Sequence, residues 1–280
     1  MSWFSYAILA TFCFTSYDLI SRILSLKSIN PRVFSVIFCT LVSLFAIVLF
    51  FFAPTYPEKM NRFIFILGIV GLLIWAIFGR LEYYVHKMVE ASTLTIVIRL
   101  AYVITFLGSL ILLNEHITLK KILAVIVIFI ANILIIKPTG RKKLDTGIFY
   151  ALLLAFFLGI GWMIDKIVSN HWGVSFYVIL SFLSPAVLNA LIPPIKKKEF
   201  ISEIRNTSWH IILLALLNTL GYYFLLKAFA LGEASRVILV TSMAQIMTIV
   251  LGIWLLKERD NALRKILAGL LAFGGILLLR

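Results

Sequence analysis

Six ionisable residues, Asp18, Arg80, Glu82, His86, Arg99 and Lys227, stand inside stretches that are otherwise apolar. The carboxylates and the imidazole can transfer protons, and the guanidinium and ammonium groups can capture an anion. A charge at the centre of a bilayer costs about 3 kcal/mol or more unless it faces a protein interior or a wet cavity. Asp18 and Arg80 have a bland alternative as internal ion pairs or side chains reaching the interface. Glu82 and Arg99 invite the functional reading more strongly.

Glu82 and Arg99 flank one tight turn, Glu82 nine residues before Ala91 and Arg99 eight after it. At 1.5 Å per residue each lies about 12–14 Å below that end of its helix. That is close to mid-depth in a hydrocarbon core ~30 Å thick. Helices joined by so short a turn are expected to be antiparallel neighbours, so the two side chains should meet. His86 follows Glu82 by four residues and shares its helical face.

Gln245 and Asn218 are amides in apolar segments, where their hydrogen bonds need partners. Tyr102, Trp162, Trp75, Tyr222 and Tyr223 can stack on a ligand or simply pack. Gly159, Gly161 and Pro185 suit close packing or a hinge. The four histidines are scattered, and Cys13 and Cys39 form no ligand or disulfide pattern. HExxH, Gly-rich phosphate-loop and nucleophile-elbow motifs are missing. No enzyme, metal or cofactor is expected.

The elements that must position these residues follow from composition. Hydrophobic residues make up 62% of the 280 and charged residues 14%, against about half and a quarter in soluble domains. Apolar stretches of about the length that crosses a bilayer cover 3–21, 33–53, 63–88, 92–113, 119–136, 146–165, 173–192, 209–230, 234–256 and 263–280. Each must be a helix, because backbone groups in hydrocarbon need partners within their own segment. The first stretch lacks a basic leader and runs on to Asp18 and Arg22, so it reads as a retained helix and not a signal peptide. The expected fold is an all-α integral membrane protein of ten transmembrane helices.

The chain also repeats itself. An offset of 143 sets Glu90-Ala91-Ser92 on Glu233-Ala234-Ser235, Thr105 on Thr248 and Glu115 on Glu258; an offset of 144 sets LKKILA (119–124) on LRKILA (263–268) and Arg22 on Lys166. Matches that hold register across helices and loops mark a duplicated five-helix unit, at 1–137 and 144–280. Five is odd, so the second copy begins on the opposite membrane face and the repeats are inverted, an arrangement of many secondary transporters with a midplane site. Leu225 and Ser242 occupy the places of Glu82 and Arg99 in the second repeat, which makes that pair asymmetric. Glu115 and Glu258, near the interface, read as structural.

EASTLTIVIRLAYVITFLGSLILLNEHITLKKILAVIVIFIANILII and EASRVILVTSMAQIMTIVLGIWLLKERDNALRKILAGLLAFGGILLL resemble the closing segments of EamA-type permeases of the drug/metabolite transporter superfamily. Each has a helix ending in Leu-Leu-x-Glu, a short polar loop and a small-residue-rich last helix. The resemblance spans essentially the whole chain and implies a transporter, with substrates in the family ranging from amino acids to drugs.

The net charge of +14 does not point to nucleic acid, because the basic residues sit in loops. Lys and Arg at 22, 27, 32, 137, 141–143, 196–198, 205, 257, 259, 264 and 265 share one face, against 59, 62, 120, 121 and 166 on the other. Basic loops stay cytoplasmic beside anionic lipid, which places the amino terminus outside. The family resemblance implies termini inside.

The resulting expectation is a secondary permease of the cell membrane, moving a small polar metabolite through a site between the repeats. An amino acid or other zwitterionic or anionic solute is favoured, since Arg80, Arg99 and Lys227 outnumber Glu82 and Asp18. Arg99 would hold the anionic group and Glu82 would pair with it or carry a coupling proton. Lys227, Gln245, Asp18, Tyr102 and Trp162 complete the expected lining. A proton-coupled exporter of organic cations is the alternative, with a lipid-carrier flippase or non-transporting membrane partner as a third reading. A monomer is expected; Ala268 and Ala272 offer a close-contact patch for a homodimer or for internal packing.

Overall fold

The computed structural model describes residues 1–57, 61–89, 91–135, 146–207, 209–244 and 246–248, with 251, 267, 270, 271, 273–275, 277 and 278 beyond them. Gln245, Glu90, Glu258, Ala268, Ala272 and all of LRKILA except Leu267 therefore lie outside the described residues. What is described is helical: α1 (Trp3–Lys27), α2 (Pro31–Phe52), α3 (Arg62–Met88), α4 (Ala91–Leu112), α5 (Leu119–Ile135), α6 (Thr146–Trp172), α7 (Val174–Leu191), α8 (Lys197–Asn206), α9 (His210–Leu231) and α10 (Ala234–Thr241). Among the described residues, α2, α3, α6, α7 and α9 are long and apolar enough to cross a membrane.

Local chemistry sets the ends. Asn30 caps α2 by accepting from the Arg32 and Val33 amides, with Pro31 at the first helical position. Asn61 caps α3 through the Ile64 amide at 2.8 Å. Gly173 breaks α6 from α7 with φ +77°, a conformation side chains resist. A Cβ there would also lie 2.6 Å from the Thr55 carbonyl oxygen.

Two helices outrun their sequence spans. α1 continues past residue 21 to Lys27, and α6 past 165 to Trp172. These extensions are repeat-equivalent, and each begins at a polar residue that a hydropathy reading takes for the end of a span. The connection 193–208 holds an unanticipated helix, α8. Its Phe200, Ile201 and Ile204 are exposed among Lys and Arg, a pattern suited to the bilayer interface. Buried Glu203 on α8 accepts from the Ile29 and Asn30 amides at 3.0 and 2.8 Å, which satisfies the chain entering α2.

The repeats interleave. Among the described residues the most extensive packing pairs helices of different repeats: α1 with α9, α2 with α7, α4 with α6, and α3 with α6 and α7. The contacts between the repeats are reciprocal. Thr105 Oγ1 donates to the Gly159 carbonyl at 3.0 Å, and its counterpart Thr248 Oγ1 donates to the carbonyl of Thr15, counterpart of Gly159, at 3.5 Å. Gly159 permits the first crossing, since a Cβ there would lie 2.9 Å from the Ala101 carbonyl oxygen.

This interleaving alters the expected relation of α3 and α4. They touch each other little, and both pack along α6. The cluster beneath their turn joins Val85, Val89 and Leu94 to Ala151 and Leu154 of α6. A short turn fixes proximity only at its own end. Deeper in the bundle α6 offers both helices a better apolar surface than they offer one another.

Candidate functional site

The side on which α1 begins is termed the N-side, and the opposite one, with its lysine- and arginine-rich loops, the basic side. A cavity of about 210 Å³ lies between mid-depth and the basic side. Its walls come from repeat-equivalent positions: Asp18 and Trp162, Phe38 and Phe182, Trp75 and Asn218, Gly79 and Tyr222 all line it. The cavity therefore straddles the axis relating the repeats, where helices from both halves meet.

Its chemistry is aromatic and acidic. Trp75 meets Phe78 and Tyr222 edge-on at 5.4 and 5.8 Å, and Tyr102 lies 5.1 Å from Trp162. Asp18 and Glu82 are in the lining, Glu82 accepting from Tyr17 Oη at 3.3 Å. Asn218 lines the cavity, and its buried Oδ1 has no hydrogen-bond partner among the described residues. Pro185 removes the N–H that would satisfy the Ser181 carbonyl four residues back, and both residues line the space. The charged and titratable side chains of the described lining are Asp18, Glu82 and His86, and it includes no lysine or arginine.

Of the residues expected from sequence, Asp18, Glu82, Tyr102 and Trp162 come together here. Arg99 is half-buried on α4, interacts with Tyr102 and is not in the lining. Lys227 lies with Nζ 5.6 Å from the centre of the Tyr223 ring, outside the cavity. Arg80 Nη1 donates to the Ile192 carbonyl at 2.6 Å, where a cation meets the negative end of α7. Gln245 lies outside the described residues. Arg80 and Lys227, two of the basic residues that outnumbered the acids in the sequence, thus have their partners outside the cavity.

Sequence reasoning missed Asp165. This α6 carboxylate is 0% exposed and sits just beyond the cavity floor toward the N-side. It accepts from Trp75 Nε1 at 2.9 Å, Tyr177 Oη at 2.8 Å and Tyr222 Oη at 2.8 Å. Next to it, Lys166 turns away and its Nζ donates to the carbonyls of Phe229 and Gly232 at the end of α9. The signal available in sequence was an asymmetry: the first repeat has Ser21 where the second has Asp165.

Beyond that floor, toward the N-side, charged residues tie the two repeats together. Glu115 accepts from the amides of Ala234 and Ser235 at 2.6 and 3.0 Å, capping α10. Lys121, 1% exposed, places Nζ 3.0 Å from Glu233 Oε2 and 4.0 Å from Glu115 Oε2. Arg236 Nε reaches the same Glu233 oxygen at 2.7 Å. Neither approach to Glu233 has hydrogen-bond geometry, so the attraction is Coulombic and not directional. These contacts join the α4–α5 segment of the first repeat to α10 of the second. The repeated Glu and Lys, expected to be structural, are structural at a strategic place.

A solved crystal structure superposes with a TM-score of 0.73 at 12% identity, covering 99% of this chain and 97% of that one; at that identity the likeness concerns fold alone. Uncharacterized protein MJ1333.1 of Methanocaldococcus jannaschii is 30% identical over 135 residues, 48% of this chain and 97% of its own length. That relative is therefore about one repeat long. The family model of the EamA-like transporter family matches residues 1–137 and again 145–280. With both repeats matched and apolar helices long enough to span a bilayer, the chain is a multi-pass membrane protein that belongs to the EamA-like transporter family.

Proposed function

We propose that this transporter moves a small organic cation by alternating access, through the cavity between its repeats. Its carriers are Asp18 and Glu82, with Asn218 Oδ1 as a hydrogen-bond acceptor and the Trp75, Trp162, Tyr102 and Tyr222 rings as walls. The observation that carries the reading is the lining itself: two carboxylates, an orphaned amide oxygen, and no lysine or arginine among the described residues. A cation in such a space gains from charge-assisted hydrogen bonds and from aromatic faces. An anionic solute would meet two like charges in a confined, poorly screened volume.

The cavity on the basic side and the charged ties toward the N-side fit one end of an alternating cycle. Ten crossings arranged as repeats 1–137 and 144–280, acting as a monomer, complete the proposed architecture. Because the repeats interleave, the moving bodies are groups of helices from both, such as α3 and α4 against α6.

Uptake into proteoliposomes tests the reading with radiolabelled guanidinium and choline beside a panel of amino acids. Saturable uptake of either cation, lost in Glu82→Gln, supports it. Uptake confined to amino acids or anions, with both cations excluded, would overturn it.

A further inference from the structure

We infer that Asp165, and not the cavity carboxylates, is the site where the coupling proton binds and leaves; the inference rests on the transport reading above. Asp165 is fully buried, and its partners among the described residues are neutral donors on three different helices. From α3 it meets Trp75, from α7 Tyr177 and from α9 Tyr222. On its own helix Lys166 is committed to the carbonyls of Phe229 and Gly232. The charged residue of α4, Arg99, interacts with Tyr102, and Lys227 of α9 lies over Tyr223. None of the described ion pairs includes Asp165. An anion buried without a cation depends wholly on its donors.

Two of those donors have a second task. Trp75 and Tyr222 present their rings to the cavity and their N–H and O–H groups to Asp165. Trp75 lies on α3 and Asp165 on α6, so this hydrogen bond crosses the α3–α6 contact that shifts in the transport reading. Opening the N-side parts the floor, withdraws donors and brings water to the carboxylate. Asp165 then takes one proton from N-side water and becomes a neutral carboxylic acid. When the floor re-forms, the donors replace that proton, which leaves through the cavity on the basic side. One cation travels the other way on Asp18 and Glu82, so the exchange is electroneutral. Tyr222 also lies 3.4 Å from Ser181 Oγ, a hydroxyl in the cavity lining that gives the proton a hydrogen-bonded exit.

The test compares wild type, Asp165→Asn and Asp165→Glu in proteoliposomes with guanidinium as the probe. One-for-one exchange should sustain roughly tenfold accumulation per pH unit of gradient in the wild type. Asp165→Asn should still exchange labelled for unlabelled guanidinium at equal concentrations, yet accumulate none against a gradient. Asp165→Glu, which keeps a carboxyl, should restore accumulation. Gradient-driven accumulation by Asp165→Asn at the wild-type level would overturn the assignment while leaving the transport reading intact.

Infrared titration of purified wild-type protein gives a second readout that does not depend on Asp165→Asn folding. A titrating carboxyl C=O band that survives Asp18→Asn with Glu82→Gln and shifts in frequency in Asp165→Glu supports the site. Loss of every titrating carboxyl band once Asp18→Asn and Glu82→Gln are combined, with Asp165 intact, overturns it. Failure of wild type to take up guanidinium, with the infrared result unchanged, would count against the choice of cargo alone.

Discussion

Lys121 offers the sharpest perturbation of the N-side contacts. Its Nζ lies 3.0 Å from Glu233, 4.0 Å from Glu115 and 2.7 Å from the His116 carbonyl it donates to. A half-buried ion pair lies between the ~1 kcal/mol of an exposed pair and the ~3–5 kcal/mol lost when a buried one is broken. Glu233 is 30% exposed and keeps Arg236, which places Lys121→Gln toward the low end, at about 1.5–2 kcal/mol. Glu115 loses little, because the Ala234 and Ser235 amides still hold it. If these contacts stabilise the N-side-closed state over the open one, that loss raises the open population by about 10–30-fold. Ser169 reports on the opening, being 0% exposed between Asp165 and the N-side end of α6. Ser169→Cys, with Cys13 and Cys39 replaced by serine, should react slowly with an N-side maleimide. Adding Lys121→Gln should speed labelling by that factor, and Lys121→Arg much less. An unchanged labelling rate in a folded Lys121→Gln protein would refute the gating role of the lock.

Glu82→Gln should weaken guanidinium binding by about 10–100-fold, the worth of one charge-assisted hydrogen bond, whereas Arg99→Gln should leave it nearly unchanged; quenching of tryptophan fluorescence reads both. Guanidinium binding should also weaken as pH falls, because a proton and the cation compete for Asp18 and Glu82 and only the ionised carboxylates attract the cation; the same quenching followed across pH checks the sign. Gly159→Ala should destabilise the protein by about 1–3 kcal/mol through overpacking, since its Cβ would lie 2.9 Å from a backbone oxygen. Gly274→Ala, with nothing within 4 Å, should be neutral, and thermal unfolding in detergent compares the two. Glu203→Ala should cost about 1–2 kcal/mol by uncapping the entry to α2, visible in the same assay.

Much of the architecture was legible in the residues. Hydrocarbon leaves a backbone no partner but itself, so an apolar stretch of sufficient length has one solution, and α2, α3, α7 and α9 stand close to where hydropathy places them. The repeat was equally plain, and the family match covers it twice, with Thr105 and Thr248 making equivalent hydrogen bonds to the opposite repeat. Asp18, Glu82, Tyr102 and Trp162 were selected by their chemistry alone, as polar or large aromatic groups among apolar ones, and they share one cavity.

Partner choice among helices was not legible. Helix formation is settled within a segment, but which helix packs on which depends on surfaces contributed by distant segments. Small residues such as Gly159 admit a neighbour that no local periodicity names. Hence α6 separates α3 from α4, and Glu82 meets Tyr17 where Arg99 was expected. Tertiary structure also decided the sign of the site, since a charge counted along the chain says nothing of where its side chain turns. Arg80 and Lys227 turn away from the cavity, leaving it acidic. Asp165 escaped because a carboxylate followed by a lysine resembles the polar end of a span. Only the approach of Trp75, Tyr177 and Tyr222 from three other helices supplies the donors that let α6 carry that charge through the bundle to Trp172.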